Sequence, residues 1–165
     1  MKPALIVLDI QNAWLDTSPE LKRSLEKRVK TINEAIGWFR RRKLPIIVVS
    51  HEERGRGVLP GVKAFEVFDK IDVKETDVKV TKRYPDAFGK TGLDGILKQK
   101  GCDTIVITGL SASWCVLGTY FGAMNWDIHA CLLQGGVASD SEDHVRFAEE
   151  VCETTNLQKL DQALH

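Results

Sequence analysis

Residues 104–133 read TIVITGLSASWCVLGTYFGAMNWDIHACLL, and they predict a strand, a helix and a second strand in succession. The β-branched run at 104–109 is typical of a buried strand. A turn of small residues then leads into a predicted helix over about 114–125, and the next strand follows at 127–133. A strand–helix–strand unit is typical of a parallel sheet, whose neighbouring strands need a long right-handed crossover.

The rest of the chain continues this alternation of strands and helices. Apolar runs predict strands at 4–8 and 46–50, and the alternating residues DVKVTK predict a strand at 77–82. Helices are predicted at 19–43, 91–100 and 141–154, with a weak sixth element near 157–160. The stretch 51–77 is irregular. We therefore predict a single α/β domain over residues 1–165, built on a mostly parallel sheet.

Composition argues against several classes of protein. The formal net charge is zero, so there is no basic excess to attract nucleic acid or anionic lipid. The four cysteines form no CxxC pair. The first apolar run is short and ends in Asp9, unlike a signal peptide, and no apolar stretch is long enough to span a bilayer. We expect a cytoplasmic protein with free thiols that binds neither nucleic acid nor membrane.

Candidate reactive side chains lie at the carboxyl ends of the predicted strands, where open parallel sheets bind ligands. Asp9 ends the first strand, His51 follows the second and Lys82 ends the third. Cys115 opens the helix after the fourth strand, where free N–H groups and the helix dipole lower a thiol pKa and stabilise an oxyanion. This placement predicts Cys115 as a nucleophile, Asp9 as its proton acceptor and Lys82 as the cation that orders them.

Each of these residues also has a simpler interpretation. Cys115 fits a buried structural cysteine, and Lys82 fits a solvated surface lysine. Asp9 fits a cap of the next turn, or a Mg²⁺ ligand in a phosphoryl-transfer enzyme. Their common placement at strand ends favours the catalytic interpretation.

Three segments resemble the isochorismatase-like cysteine hydrolases in their order along the chain. LDIQNAW at 8–14 is similar to the opening strand and loop of that family, TKRYPDAFGKTGL at 81–93 to its lysine segment, and GLSASWCVLGTYFGAMNWDIHACLLQGGVAS at 109–139 to its nucleophile segment. The resemblance implies a three-layer α/β/α fold with a six-stranded parallel sheet of Rossmann-like topology. It also implies assembly into a homo-oligomer, a dimer or larger.

The same resemblance implies roles for single residues. The family's Asp–Lys–Cys triad maps onto Asp9, Lys82 and Cys115. A cis peptide is expected at Leu110–Ser111, which would aim the N–H of Ser111 together with that of Cys115 as an oxyanion hole. One departure from the family pattern is Asp86, which stands where Ser often precedes Ala-Phe.

A metal site of the nicotinamidase kind is not expected. That branch carries Asp-x-His after the second strand and a further His before the lysine. Here Val49 takes the place of the Asp, and no histidine lies between 52 and 81, so His51 alone cannot hold a metal. The chain resembles the non-metal branch and is predicted to use no cofactor. His51 then either supports the fold by hydrogen bonding or contacts the substrate.

Aromatic residues beside the predicted triad suggest a small planar substrate. Trp14, Trp114 and Phe88 fit the walls of a pocket around a few polar groups. Phe88 fits plain core packing equally well. Arg54 and Arg56, in the irregular segment, either bind a substrate carboxylate or are solvated.

The predicted activity is hydrolysis of a C–N amide or carbamoyl bond through a thioester on Cys115. A thiol-based redox sensor and a non-catalytic binding protein on the same fold are the alternatives from other classes. Hydrolysis of an isochorismate-type vinyl ether is a further alternative.

Overall fold

The computed structural model describes residues 1–164. Its strands are β1 (Pro3–Leu8), β2 (Ile46–His51), β3 (Val78–Lys82), β4 (Thr104–Gly109), β5 (His129–Val137) and β6 (Thr154–Thr155). Its α-helices are α1 (Asn12–Thr17), α2 (Pro19–Glu26), α3 (Val29–Arg41), α4 (Leu93–Gln99), α5 (Leu117–Met124), α6 (Glu142–Val151) and α7 (Leu157–Leu164). Within this range, none of the helices is both long enough and apolar enough to cross a bilayer.

All six strands are parallel and are ordered β3-β2-β1-β4-β5-β6. The direction of strand succession reverses between the neighbours β1 and β4, which opens a crevice at their carboxyl ends. At this point Gly109 has a φ of 112° and pairs with Leu8, and a Cβ on Gly109 would overlap the Leu8 carbonyl. Glycine is therefore required where the two central strands approach each other.

Side chains of strand β1 alternate between two apolar cores, one on each face of the sheet. Ile6 and Leu8 belong to the core that α4, α5 and α6 cover, and Leu5 and Val7 belong to the core that α1, α2, α3 and α7 cover. Since successive residues of a strand point to opposite faces, both faces of β1 are buried. The predicted three-layer α/β/α fold with a six-stranded parallel sheet is confirmed.

The helix predicted at 19–43 is in fact two helices. The chain leaves helical geometry between α2 and α3, where Arg28 has φ −107° and ψ −10°. Arg28 donates hydrogen bonds to the carbonyl of Ser24 (2.7 Å) and to Glu142 at the start of α6 (2.7 Å). The break allows this partly buried arginine to join two distant parts of the chain.

The C-terminal elements also differ from the prediction. The sixth strand, β6, begins at the last residue of the helix predicted over 141–154 and ends before the weak element predicted near 157–160, where helix α7 begins instead. Strand β6 has only two residues, which is too short for a period to show in the sequence. A short helix, α1, follows β1 and was not predicted.

Candidate active site

The strand ends bring Asp9, His51 and Lys82 together. Asp9 lies one residue beyond β1, with a φ of 54°, and its N–H donates to the Val49 carbonyl at 2.9 Å. Asp tolerates this left-handed backbone better than most residues. His51 and Lys82 are the last residues of neighbouring strands and pair in register. The sheet itself therefore fixes the spacing of the three side chains.

The ammonium of Lys82 lies at the centre of the site. Its Nζ is 2.8 Å from Asp9 Oδ2, 2.8 Å from His51 Nδ1, 3.2 Å from Cys115 Sγ and 3.0 Å from the Tyr84 carbonyl. The Lys82 side chain is 0% exposed and that of Asp9 is 4% exposed. This buried ion pair brings the three predicted triad residues into direct contact, and the solvated interpretation of Lys82 is wrong.

Asp9 keeps one carboxylate oxygen available. Oδ2 bonds Lys82, whereas Oδ1 is buried and has no hydrogen-bond partner among residues 1–164. Burial raises the pKa of the Asp9 carboxyl, and the Lys82 ammonium opposes part of that rise. A carboxylate with a raised pKa and a free oxygen is suited to accept a proton.

The pKa of the Cys115 thiol is raised, whereas the sequence predicted that it is lowered. It is raised to about 12, first by burial and then by the negative charge of Asp9, and Lys82 offsets only part of this. The residue lies in a π-helical turn, Ala112–Val116, rather than in the first turn of α5. The resting site therefore holds a neutral Cys115 thiol beside the Asp9–Lys82 pair.

The predicted oxyanion-hole segment has the expected backbone. The Leu110–Ser111 peptide is cis, and the Ser111 N–H donates no hydrogen bond to any residue of the described chain. The Ser111 hydroxyl lies 3.1 Å from that of Ser139, in the loop after β5. The same loop holds the next residue, because the Ala112 N–H donates to the Ala138 carbonyl at 2.9 Å.

A cavity of about 880 Å³ opens above these groups. Asp9, Ser111 and Cys115 lie in its wall together with residues that the sequence proposed for the pocket, namely Trp14, His51 and Trp114. Phe88 does not line it. That residue is 3% exposed and packs in the core beneath α4 and α5, so core packing is its role in this structure.

His51 lies in the cavity wall and is held there by hydrogen bonds. It lines the cavity, and Gln11 holds its backbone on both sides, accepting from the His51 N–H at 2.8 Å and donating to the His51 carbonyl at 3.0 Å. Burial and the Lys82 charge lower the pKa of His51. A neutral imidazole is consistent with Nδ1 accepting a hydrogen bond from Lys82.

A carboxylate, an imidazole and a thiol within 4.8 Å of one another would suit a metal ion. In this site, however, the Lys82 ammonium contacts Asp9, His51 and Cys115 at 2.8–3.2 Å. The ammonium thus occupies the position that a cation bound by these three side chains would need.

Two parts of the site were missed by the sequence analysis. Gln11 is fully buried and holds His51, and its position two residues after Asp9 in LDIQNAW was the only signal for it. Arg83, next to Lys82, lines the cavity and bonds Glu52. The sequence does not show whether a charged residue beside a strand end faces the cavity or the solvent.

Comparison with known proteins finds matches over nearly the whole chain. The isochorismatase domain model matches residues 3–157. An isochorismatase-like hydrolase from Alkaliphilus metalliredigens has a TM-score of 0.88 at 23% identity, with both chains fully covered. N-carbamoylsarcosine amidase from Thermoplasma acidophilum has a TM-score of 0.78 at 30% identity, over 94% of this chain and 95% of that chain. The isochorismatase family protein YddQ of Bacillus subtilis is 25% identical over 164 residues, which are 98% of this chain and 83% of YddQ. With its match extending over nearly the whole length, this chain belongs to the isochorismatase family.

Proposed function

We propose that this isochorismatase-family hydrolase cleaves a C–N amide or carbamoyl bond of a small molecule, with Cys115 as nucleophile. The observation that carries the proposal is the buried Lys82 ammonium, which contacts both Asp9 Oδ2 and Cys115 Sγ at the base of an open cavity. Burying a charged pair against a thiol is costly for folding, and such perturbed groups concentrate at functional sites.

In the proposed first step, Asp9 Oδ1 accepts the Cys115 proton as the sulfur attacks the substrate carbonyl carbon. The Lys82 ammonium stabilises the sulfur while it is negatively charged, and the N–H groups of Ser111 and Cys115 stabilise the oxyanion. Asp9 then gives its proton to the nitrogen of the breaking C–N bond, and the amine leaves. Asp9 next deprotonates a water that hydrolyses the thioester, and the proton returns to the Cys115 sulfur.

The raised pKa of Cys115 supports a hydrolase over a redox sensor. A sensor cysteine reacts as a standing thiolate, which a pKa of about 12 makes rare at neutral pH. In the proposed hydrolase the thiolate forms only as Asp9 takes the proton. The similarity to an N-carbamoylsarcosine amidase at 30% identity also supports cleavage of a carbamoyl C–N bond.

The test is ammonia release from primary amides, N-carbamoyl amino acids and nicotinamide. The wild type is compared with Cys115→Ala and with Cys152→Ala, which removes another free cysteine remote from the cavity. We expect release from the wild type and from Cys152→Ala, and a loss of at least about 10³-fold in Cys115→Ala. Turnover that survives in a folded Cys115→Ala protein would refute the proposed nucleophile.

A further inference from the structure

We propose that the substrate carries a single carboxylate, bound by an arginine wall made of Arg54, Arg56 and Arg83. This inference rests on the proposed function, because it names the class of amide or carbamoyl compound that the same cavity accepts. All three residues line the cavity. They come from two loops, one after β2 and one after β3, which meet at the cavity because these strands are neighbours.

Glu52 orients two of the three arginines. Its carboxylate accepts from Arg83 Nε (3.1 Å) and Nη2 (3.3 Å), and from Arg54 Nε (3.3 Å). These bonds lower the pKa of Glu52, Arg83 contributing most. Arg54 bonds Glu52 only through Nε, so its two terminal nitrogens keep their N–H groups for a ligand. A guanidinium that is already oriented loses less entropy when it binds a carboxylate.

Arg56 is held in a different way. Its Cζ lies 5.2 Å from the centre of the Trp14 ring, and its nearest acidic partner is Glu53 at 3.9 Å. A distance of 3.9 Å is beyond hydrogen-bond range. Arg56 is thus placed by stacking on an aromatic wall of the cavity, and its N–H groups are not used by Glu53.

The charge of the wall matches one carboxylate. Three guanidinium groups face two carboxylates, Glu52 and Glu53, which leaves an excess of one positive charge. Of the other acidic lining residues, Asp9 pairs with Lys82, and Asp140 follows β5, which lies three strands away from β2 in the sheet, so neither belongs to the arginine wall. A phosphate dianion would exceed the free charge of the wall, whereas a carboxylate balances it.

The experiment compares N-carbamoylglycine with its uncharged methyl ester. Binding is measured on Cys115→Ala, which does not turn the compounds over, by tryptophan fluorescence, because Arg56 stacks on Trp14. We expect the acid to bind about tenfold more tightly than the ester. Arg56→Gln should remove most of this preference, whereas Arg146→Gln, at an exposed ion pair on α6, should retain it. Equal affinity for acid and ester, or a preference that survives Arg56→Gln, would overturn the proposal.

Turnover separates this inference from the proposed function. In the wild type, the ratio of kcat/KM for the acid to that for the ester should exceed one and fall about tenfold in Arg56→Gln. Ammonia release without discrimination would overturn the carboxylate site and leave the hydrolase standing. A binding preference for the acid without ammonia release from any amide would support the carboxylate site and overturn the hydrolase.

Discussion

Removing the charge of only one member of the buried Asp9–Lys82 pair should lower the free energy of unfolding more than the removal of both charges would suggest. We predict that Asp9→Asn and Lys82→Met each lower the free energy of unfolding by about 3–5 kcal/mol, since each leaves one buried charge without its partner. Asn is chosen because Asp9 has a φ of 54°, a conformation that Asn also tolerates. Met retains most of the length of the Lys82 side chain.

The size of this effect follows from the geometry. At 2.8 Å and an effective dielectric constant of about 20, the attraction between the two charges is about 6 kcal/mol. This attraction offsets the desolvation of two side chains that are 0% and 4% exposed. In the double variant neither desolvation nor attraction remains. We therefore expect it to be about 2–3 kcal/mol more stable than the sum of the single effects predicts.

Urea unfolding, followed by tryptophan fluorescence, measures this coupling, provided that the m-values stay constant. The pH dependence is a second readout. In Lys82→Met, the lone buried carboxylate has a pKa above that of the unfolded chain, so stability is regained below that pKa and lost as pH rises through it. Asp9→Asn has no such carboxylate and should not regain stability on acidification. Additive effects of the two substitutions, within about 0.5 kcal/mol, would refute the view of a tightly coupled pair.

Two further predictions concern glycines and the thiol. Gly122→Ala in α5 should destabilise by about 1–3 kcal/mol, because the new methyl group would overlap the Asp86 carboxylate, and Asp86→Ala should relieve this in the double variant. At Gly95 in α4 no atom lies within 4 Å of an added Cβ, so Gly95→Ala should instead stabilise the protein by about 0.5–1 kcal/mol. Thermal or urea unfolding measures both variants, and equal effects at the two sites would contradict the reasoning. The rate of Cys115 alkylation by iodoacetamide should rise about tenfold per pH unit through pH 9 without levelling off, since the thiol pKa is about 12, and a plateau near neutral pH would show a standing thiolate.

The positions of Asp9, Lys82 and Cys115 could be predicted because local sequence signals coincide with a rule of topology. Asp9 follows a short apolar run, Lys82 ends a stretch of alternating apolar and polar residues, and Cys115 follows a turn of small residues after another apolar run. The carboxyl ends of parallel strands lie at one edge of the sheet, so residues far apart in the chain are expected there together. The family resemblance also predicted the cis peptide at Leu110–Ser111, and the structure contains it.

The break between α2 and α3 could not be predicted in this way. The apolar spacing of 19–43 continues through Lys27 and Arg28, so the pattern shows one helix. At the break, Arg28 bonds Glu142, which is 114 residues away along the chain. A periodicity in sequence reports which face of a helix is buried and carries no information about such a distant partner.

The sequence by itself determined the α/β fold and the edge of the sheet at which Asp9, Lys82 and Cys115 meet, because strand period and helix spacing are local properties. Only the tertiary structure decided the protonation chemistry of Cys115. A helix N-terminus predicted a lowered thiol pKa, but burial and the nearby Asp9 carboxylate raise it. It also decided that Phe88 packs in the core while Arg83 faces the cavity. Desolvation and the distances between charges depend on groups brought together from distant parts of the chain, so they exist only once the chain has folded.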